Sequence, residues 1–284
     1  MDALRTAVSA LTASDGSSAE ANGSQEATEH AAIRLTALVP TIVATYVRLR
    51  NGDEPLEPRD DLGHAANFLY MLTGEEPDPV VAETFDMALV LHLDHGINAS
   101  TFSGKVNAST LATAYGSVTG SLAALSGPLH GGANADVMRM LKAVEESGKE
   151  PTAWVQEAID RGERVPGFGH RVYQVKDPRA VVLQERSKAL AQAADELKWY
   201  TYSTQIEDFL VSEKGINPNV DFYSASMYYV MDIPIDVYTP IFAISRIAGW
   251  LAHLFEQYDD NRLIRPLGDY VGDHGKAVTP LEER

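Results

Sequence analysis

Apolar residues recur at intervals of three and four along most of the chain, a spacing typical of helices that bury one face. In the first segment, Leu4, Val8 and Leu11 fall on one such face. A polar stretch at 14–23 is predicted to be a loop, and only 164–168 favours a short extended segment. The predicted fold class is therefore all-α. Further helices are predicted at 33–49, 80–95, 109–125, 133–147, 152–161, 178–197, 204–212, 222–231 and 240–257, with one more ending at Gly74.

The composition excludes several classes of function. Forty Asp and Glu against 23 Lys and Arg give a net charge of −17, and such a surface repels nucleic acid and anionic membranes. No uninterrupted apolar run reaches the roughly 18 residues that cross a bilayer, and the N-terminus lacks a secretory pattern. The absence of cysteine excludes thiolate catalysis and cysteine-ligated zinc. We expect a cytoplasmic protein, either merely acidic or adapted to a salty cytoplasm.

Glycine and proline cluster at four places that also hold histidine or aspartate. Loops at helix ends commonly carry chemistry, because a rigid scaffold positions them and glycine lets the backbone approach a ligand. His130, His170 and Asp221 could therefore form an acid–base set. Each has a structural alternative: the histidines could be hydrogen-bonded loop residues, and Asp221 could cap a helix beginning at Phe222. The four clusters are 94–96, 127–132, 166–170 and 217–221.

Two further patterns bear on ligand binding. His92 and His95 share a helix face, but the glutamate of a His-Glu-x-x-His motif is missing and no third ligand lies nearby, so a metal site is not expected. Arg171, Lys176 and Arg179 form a basic cluster within an acidic chain. This cluster is consistent with an anionic small-molecule site or with a solvated helix start.

Six segments, in order and in register over nearly the whole chain, resemble citrate synthase, with haloarchaeal members the nearest likeness. This resemblance implies an all-α, two-domain fold. Its large domain would comprise 1–131 and 236–284, and an inserted small domain would comprise 132–235. The six segments are HLDHGINASTF at 92–102, SGPLHGGAN at 126–134, PGFGHRVY at 166–173 with KDPR at 176–179, NVDFYS at 219–224, SRIAGWLAH at 245–253 and NRLIRP at 261–266.

The resemblance also implies roles for the acid–base set. Asp221 would remove a proton from the methyl group of acetyl-CoA, and His130 would hydrogen-bond the thioester oxygen as negative charge develops there. His170 would protonate the ketone of oxaloacetate as the carbon–carbon bond forms. Hydrolysis of citryl-CoA would then give citrate and CoA, the entry reaction of the tricarboxylic acid cycle.

Oxaloacetate is a dianion, so its binding requires cationic side chains. By resemblance, Arg179 and Arg246 would hold the oxaloacetate carboxylates with His95 as a further donor, and Arg265 would reach across a homodimer interface. Arg171 and Lys176 are the candidate CoA contacts. No metal or prosthetic group is implied.

Three departures keep alternatives open. The family normally has a substantial stretch before the segment that resembles residues 1–11, so the chain is expected to be shortened at its N-terminus. Gln174 and Leu267 occupy positions where relatives often carry a basic residue. One alternative is a 2-methylcitrate synthase acting on propionyl-CoA, since one methylene gives modest discrimination. The other is a catalytically impaired paralogue that acts as an interaction protein.

Overall fold

The structure is a computed structural model that describes residues 1–14, 25–169, 173 and 175–284. In these ranges the regular structure is helical, apart from one isolated antiparallel bridge between Phe168 and Pro218. The all-α prediction is confirmed. The predicted loop at 14–23 lies almost entirely outside the described residues. The helices are α1 Asp2–Ser14, α2 Gln25–Asn51, α3 His64–Thr73, α4 Pro79–His92, α5 Ala99–Ser109, α6 Ala114–Leu125, α7 Ala133–Ser147, α8 Pro151–Asp160, α9 Pro178–Ala193, α10 Leu197–Lys214, α11 Val220–Val230 and α12 Tyr238–Asp259.

Several predicted helix boundaries are wrong, and local backbone chemistry gives the reason. The helix predicted at 109–125 begins only at Ala114, as α6, and the preceding α5 was not predicted; Leu111, in a left-handed conformation with φ 63°, interrupts the chain between the two helices. Thr113 then caps α6, its hydroxyl oxygen accepting a hydrogen bond from the Gly116 N–H. In the same way Asp195, with φ 54°, separates α9 from α10. Helix α4 ends at His92, which leaves His95 in a loop.

Helix α12 is the centre of the packing and contacts α2, α4, α5 and α6. Its residues Ile241, Ile247 and Trp250 are almost completely buried, and side chains of this size each contribute roughly 1.5–3 kcal/mol when removed from water. The helix passes the loop after α4 very closely at Gly249, where a Cβ atom would overlap the carbonyl oxygen of Leu93. This close approach places α12 beside the loop that carries His95.

Helices α7 to α11 form a second group. Helix α11 packs on α7 and α9, while α10 packs on α8 and α9. This group meets the rest of the chain mainly where α4 contacts α9 and where α12 contacts α7. The predicted small domain at 132–235 contains these five helices, and its boundaries stay a prediction.

By length and composition alone, helix α2 could span a membrane. In the structure it packs on α3 and α12, and its buried residues recur at helical spacing. Its other face is open, with Ile33 72% exposed. One-sided burial of this kind is typical of a core helix. That the protein has no membrane partner stays a prediction.

Candidate active site

Two loops that carry candidate residues are joined through their backbones. The Gly169 N–H donates to the Asn217 carbonyl, and the Asn219 N–H donates to the Gly167 carbonyl, both at 2.9 Å. Gly167 has φ 79°, and a Cβ atom there would press on Val137 and Phe222, so only glycine suits this approach. We call the two backbone hydrogen bonds the loop pairing. It holds the chain that leads into position 170 beside the start of α11.

His170, Arg171 and Gln174 lie outside the described residues, so their predicted roles stay predictions.

Asp221 does not cap its helix. Helix α11 begins at Val220, and the cap is Asn219, whose side-chain oxygen accepts a hydrogen bond from the Asp221 N–H at 3.0 Å. The helix-cap alternative is therefore wrong. No described residue donates a hydrogen bond to the Asp221 carboxylate, which stays available for chemistry.

The environment of Asp221 makes it a stronger base than an ordinary aspartate. Burial raises the pKa of its carboxyl to about 6, although the positive charges of Arg179 and Arg246 oppose the rise. The nearby charge of Asp177 adds to it. The carboxylate is thus predominantly ionised at pH 7 but binds a proton more tightly than it would in water.

His130 presents a neutral ring with a defined proton. Its Nε2 lies 2.8 Å from the Ser100 hydroxyl oxygen and 3.3 Å from the Ser100 backbone nitrogen. A backbone N–H can only donate, so Nε2 accepts and the ring proton resides on Nδ1. Burial lowers the pKa of His130, and the charge of Arg246 lowers it further. Nδ1–H is therefore a neutral donor.

Ser100 is a site residue that sequence reasoning did not identify. It is fully buried in the first turn of α5, whose cap is Asn98. The Asn98 side-chain oxygen accepts hydrogen bonds from the Ser100 and Thr101 N–H groups, both at 3.1 Å. The Asn-x-Ser pattern at a helix start signals the cap, but nothing in it indicates the contact with a histidine 30 residues away.

Arg246 is a buried cation with two nitrogens that bond to no residue in the described part of the chain. Its side chain on α12 stacks over the Phe242 ring at 4.7 Å, and its Nε donates to the His92 carbonyl at 2.7 Å. The residue is 2% exposed, and this burial lowers the pKa of its guanidinium to about 10. Its Nη1 and Nη2 bond to no described residue. A desolvated guanidinium with its fork open is well suited to bind a carboxylate.

His92, beside Arg246, remains neutral. Its Nδ1 lies 2.7 Å from the Ala88 carbonyl, and burial lowers its pKa to about 4. A neutral imidazole adds no positive charge next to Arg246. Among the described residues there is no group of three or more side chains that could hold a metal ion.

Arg179 is oriented by an acidic neighbour. Asp177, which caps α9 and is fully buried, accepts hydrogen bonds from the Arg179 Nε at 3.0 Å and Nη2 at 2.8 Å. This bidentate pair fixes the plane of the guanidinium and leaves the Arg179 Nη1 without a bond to Asp177. Sequence reasoning identified Arg179 and missed Asp177, because an aspartate before Pro-Arg looks like an ordinary helix cap.

The loop with His95 is tied to α12. The His253 ring lies between two carboxylates, with Nε2 3.1 Å from Asp94 and Nδ1 2.9 Å from Glu256. His95 itself is half-buried, and its ring centroid lies 5.6 Å from that of Tyr173. Tyr173 belongs to the segment that follows position 170, so this contact joins the two loops.

Two candidate residues lie apart from this cluster. The Lys176 ammonium forms an ion pair with the buried Glu207 and donates to Gln184 at 2.6 Å, so this cation is already neutralised within the protein. Arg265 lies on the exposed tail after α12, at 260–284, and bonds to no described residue. A single chain does not bring it to the site.

Five side chains do converge. Asp221, Arg179, Arg246, His92 and His130 lie close enough for their charges to perturb one another's pKa values. The arrangement combines a desolvated carboxylate base, a neutral imidazole donor and two guanidiniums. It can bind a small dianion and remove a proton from a weak carbon acid whose oxygen becomes negative.

Comparisons with known proteins agree with this chemistry. The citrate synthase family, in the part described as its C-terminal domain, matches residues 1–267. A curated citrate synthase of Haloferax volcanii is 59% identical over the whole chain, which spans 75% of that relative. Citrate synthase 2 of Bacillus subtilis is 51% identical, again over the whole chain and 76% of the relative.

Solved structures show the same fold. Citrate synthase from Pyrobaculum aerophilum matches 99% of this chain and 74% of its own, with 38% identity and a TM-score of 0.84. Citrate synthase from Thermoplasma acidophilum, a ternary complex with carboxymethyl coenzyme A and oxaloacetate, matches 99% of this chain and 75% of its own, with 32% identity and a TM-score of 0.88.

The fold and the site define an acyltransferase. The family match covers more than nine tenths of the sequence, and the chain belongs to the citrate synthase family. Two 2-methylcitrate synthases of Corynebacterium glutamicum are more distant, each at 37% identity. The comparisons therefore support citrate synthase over the propionyl-CoA alternative.

Proposed function

We propose that the protein condenses acetyl-CoA with oxaloacetate and water to give citrate and free CoA. The observation that carries this proposal is the convergence of a desolvated Asp221 carboxylate and a neutral His130 donor beside Arg179 and Arg246. The family membership supports the same reaction.

Asp221 acts first as the general base. A carboxylate with a pKa of about 6 takes a proton more readily than one of ordinary pKa, yet is still ionised at neutral pH. It removes a methyl proton from acetyl-CoA, and the electron pair moves onto the thioester oxygen. The Nδ1–H of His130 donates to this oxygen as its charge develops, without adding a full positive charge.

The guanidiniums bind the second substrate. Arg246 offers Nη1 and Nη2 to one carboxylate of oxaloacetate, Arg179 offers Nη1 to the other, and His95 is a further donor. We also propose a homodimer in which Arg265 from a second copy completes the pocket. Its place on an exposed tail, without a bond to any described residue, supports this role.

The carbon–carbon bond forms when the enolate carbon attacks the ketone carbon. His170 gives its proton to the ketone oxygen, and water then cleaves the thioester, releasing CoA as the thiol. Arg171 is the stronger candidate for a CoA phosphate contact, because the Lys176 ammonium is paired with Glu207. The reaction requires no cofactor. We place the enzyme in the cytoplasm of a cell with high internal salt, as its acidic surface suggests.

A thiol-release assay tests the proposal. Purified protein in molar KCl is given oxaloacetate with acetyl-CoA or propionyl-CoA, and free CoA is followed with a thiol reagent. We expect oxaloacetate-dependent release that is faster with acetyl-CoA and at least 100-fold slower in Asp221→Asn. Asp53→Asn, which changes an exposed aspartate with no side-chain bond to a described residue, is the control. No release from the wild type would favour the impaired paralogue instead.

A further inference from the structure

Three residues on one face of helix α12 contact three successive residues of the loop region after α4. Positions 246, 249 and 253 follow the i, i+3, i+7 spacing of a single helix face. The contacts are Arg246 Nε with the His92 carbonyl, the Gly249 backbone against the Leu93 carbonyl, and His253 Nε2 with the Asp94 carboxylate. The last of these contacts is the only one of the three in which both partners use side-chain atoms. It lies directly before His95.

The Asp94 carboxylate organises the turn that contains His95. Its Oδ2 accepts a hydrogen bond from the Gly96 N–H at 3.1 Å, and Gly96 has a left-handed φ of 64°. Burial alone would raise the pKa of Asp94, but the backbone N–H groups of His95 and Gly96 and a histidine ring on α12 lower it below its usual value. Asp94 is therefore an ionised acceptor. We call residues 94–96, which fold around this carboxylate, the His95 turn.

His253 ties the His95 turn to α12. A carboxylate can only accept, so the proton lies on His253 Nε2, which donates to Asp94 Oδ1 at 3.1 Å. The His253 side chain is 15% exposed, whereas that of Asp94 is 41% exposed. The better packed partner is thus on the helix. Without the Nε2–H, the bonds that the structure describes for the Asp94 carboxylate would all lie within the turn itself.

The other end of the same loop is held by different contacts. Asn98 caps α5, and the Trp250 indole N–H donates to the Ser100 hydroxyl oxygen at 3.2 Å. Neither contact involves His253. The contact between Ser100 and His130 should therefore persist when the tie at Asp94 is lost, so that oxaloacetate binding and the chemical step can be affected separately.

We propose that His253 is a positioning residue for His95, fixing through Asp94 the turn that presents the His95 ring to oxaloacetate. This role rests on the proposed function, in which His95 is a donor to oxaloacetate. A turn that is already fixed need not be ordered when the dianion binds. Once the tie is lost, binding must order the turn, and the affinity falls by that amount.

A pair of amide variants tests which nitrogen of His253 matters. The glutamine amide reaches about as far as Nε2, whereas the shorter asparagine amide reaches only about as far as Nδ1. In calorimetric titrations with oxaloacetate in molar KCl, His253→Asn should raise the dissociation constant about 3–10-fold, the range expected for ordering one side chain on binding. His253→Gln should stay within about twofold of the wild type, and kcat at saturating substrate should stay within about twofold in both variants.

The second contact of the same ring supplies the control. His253 Nδ1 lies 2.9 Å from Glu256, whose side chain is 66% exposed. Glu256→Gln leaves the bond to Asp94 in place and should leave the affinity for oxaloacetate unchanged. If Glu256→Gln weakened binding as much as His253→Asn does, the tie to Asp94 would not be the cause, and the inference would be overturned.

Hydrogen exchange measures the turn without any substrate. Peptides covering 93–98 should exchange faster in His253→Asn than in the wild type, and at the wild-type rate in His253→Gln. Asp94→Ala removes the same bond from the loop side, so it serves even if His253→Asn does not fold, and adding His253→Asn to it should change exchange little further. Wild-type exchange at 93–98 in His253→Asn would overturn the inference. A wild type that releases no CoA would refute the proposed function, while exchange would still decide whether His253 fixes the turn.

Discussion

Replacing the proposed base should make the protein more stable while it abolishes turnover. Asp221 is held ionised at pH 7 in a place that disfavours its charge, since burial raises its pKa from 3.8 to about 6. A tenfold change in an ionisation constant corresponds to about 1.4 kcal/mol, so the charge costs the folded protein about 3 kcal/mol at pH 7. The neutral amide of Asp221→Asn avoids this cost but cannot accept the methyl proton.

The sign of the effect depends on pH. Below about pH 4 the carboxyl is protonated in both the folded and unfolded states, and the cost is absent. Between about pH 4 and 6 the unfolded chain has lost the proton while the folded protein retains it, so the cost grows as the pH rises. Above about pH 6 both states are ionised and the full cost remains.

Chemical denaturation at fixed KCl and at several pH values measures this difference. The free energy of unfolding of Asp221→Asn should exceed that of the wild type by up to about 3 kcal/mol at pH 7, and the excess should vanish towards pH 4. Asp53→Asn should show no such pH-dependent gain. A base variant that is no more stable than the wild type at pH 7, or whose advantage is the same at every pH, would refute the reasoning.

Four further predictions follow from the packing and the charge. Arg246→Lys keeps the charge but loses the planar fork, so steady-state kinetics should show the oxaloacetate KM raised about 10–100-fold. Gly249→Ala would force α12 away from the Leu93 carbonyl and should lower the free energy of unfolding by about 1–3 kcal/mol in urea or guanidinium. Lys176→Met leaves the Glu207 carboxylate buried without its cation and should cost about 3 kcal/mol in the same assay, which adding Glu207→Gln should largely restore. Molar KCl should raise the melting temperature measured by calorimetry, because it screens repulsion within a net charge of −17; a flat response would count against adaptation to salt.

Features that depend on local sequence were predictable. The 3.6-residue spacing of apolar positions gives α7 with the predicted bounds and α12 within two residues at each end. The glycine-rich loops pointed to His130 and Asp221 because catalytic side chains commonly occupy such positions. The left-handed residues Leu111 and Asp195 were missed, since neither residue type signals that conformation strongly.

Features that depend on distant contacts were not predictable from local pattern. The contact between Trp250 and Ser100 joins residues 150 apart, and both look like ordinary buried helix residues in the sequence. Lys176 looked like a free cation because its partner, Glu207, lies 31 residues further on in another helix. When a side chain acts through a residue distant in the sequence, local sequence pattern does not predict its role, because only the fold brings the two residues into contact.

The loop pairing has a consequence for how the family can vary. Both of its hydrogen bonds use only main-chain atoms. The separation between the backbone that leads to position 170 and the start of α11 therefore does not depend on which side chains line the pocket. Substitutions among those side chains can therefore change the pocket while the backbone spacing between Gly167–Gly169 and the start of α11 is kept.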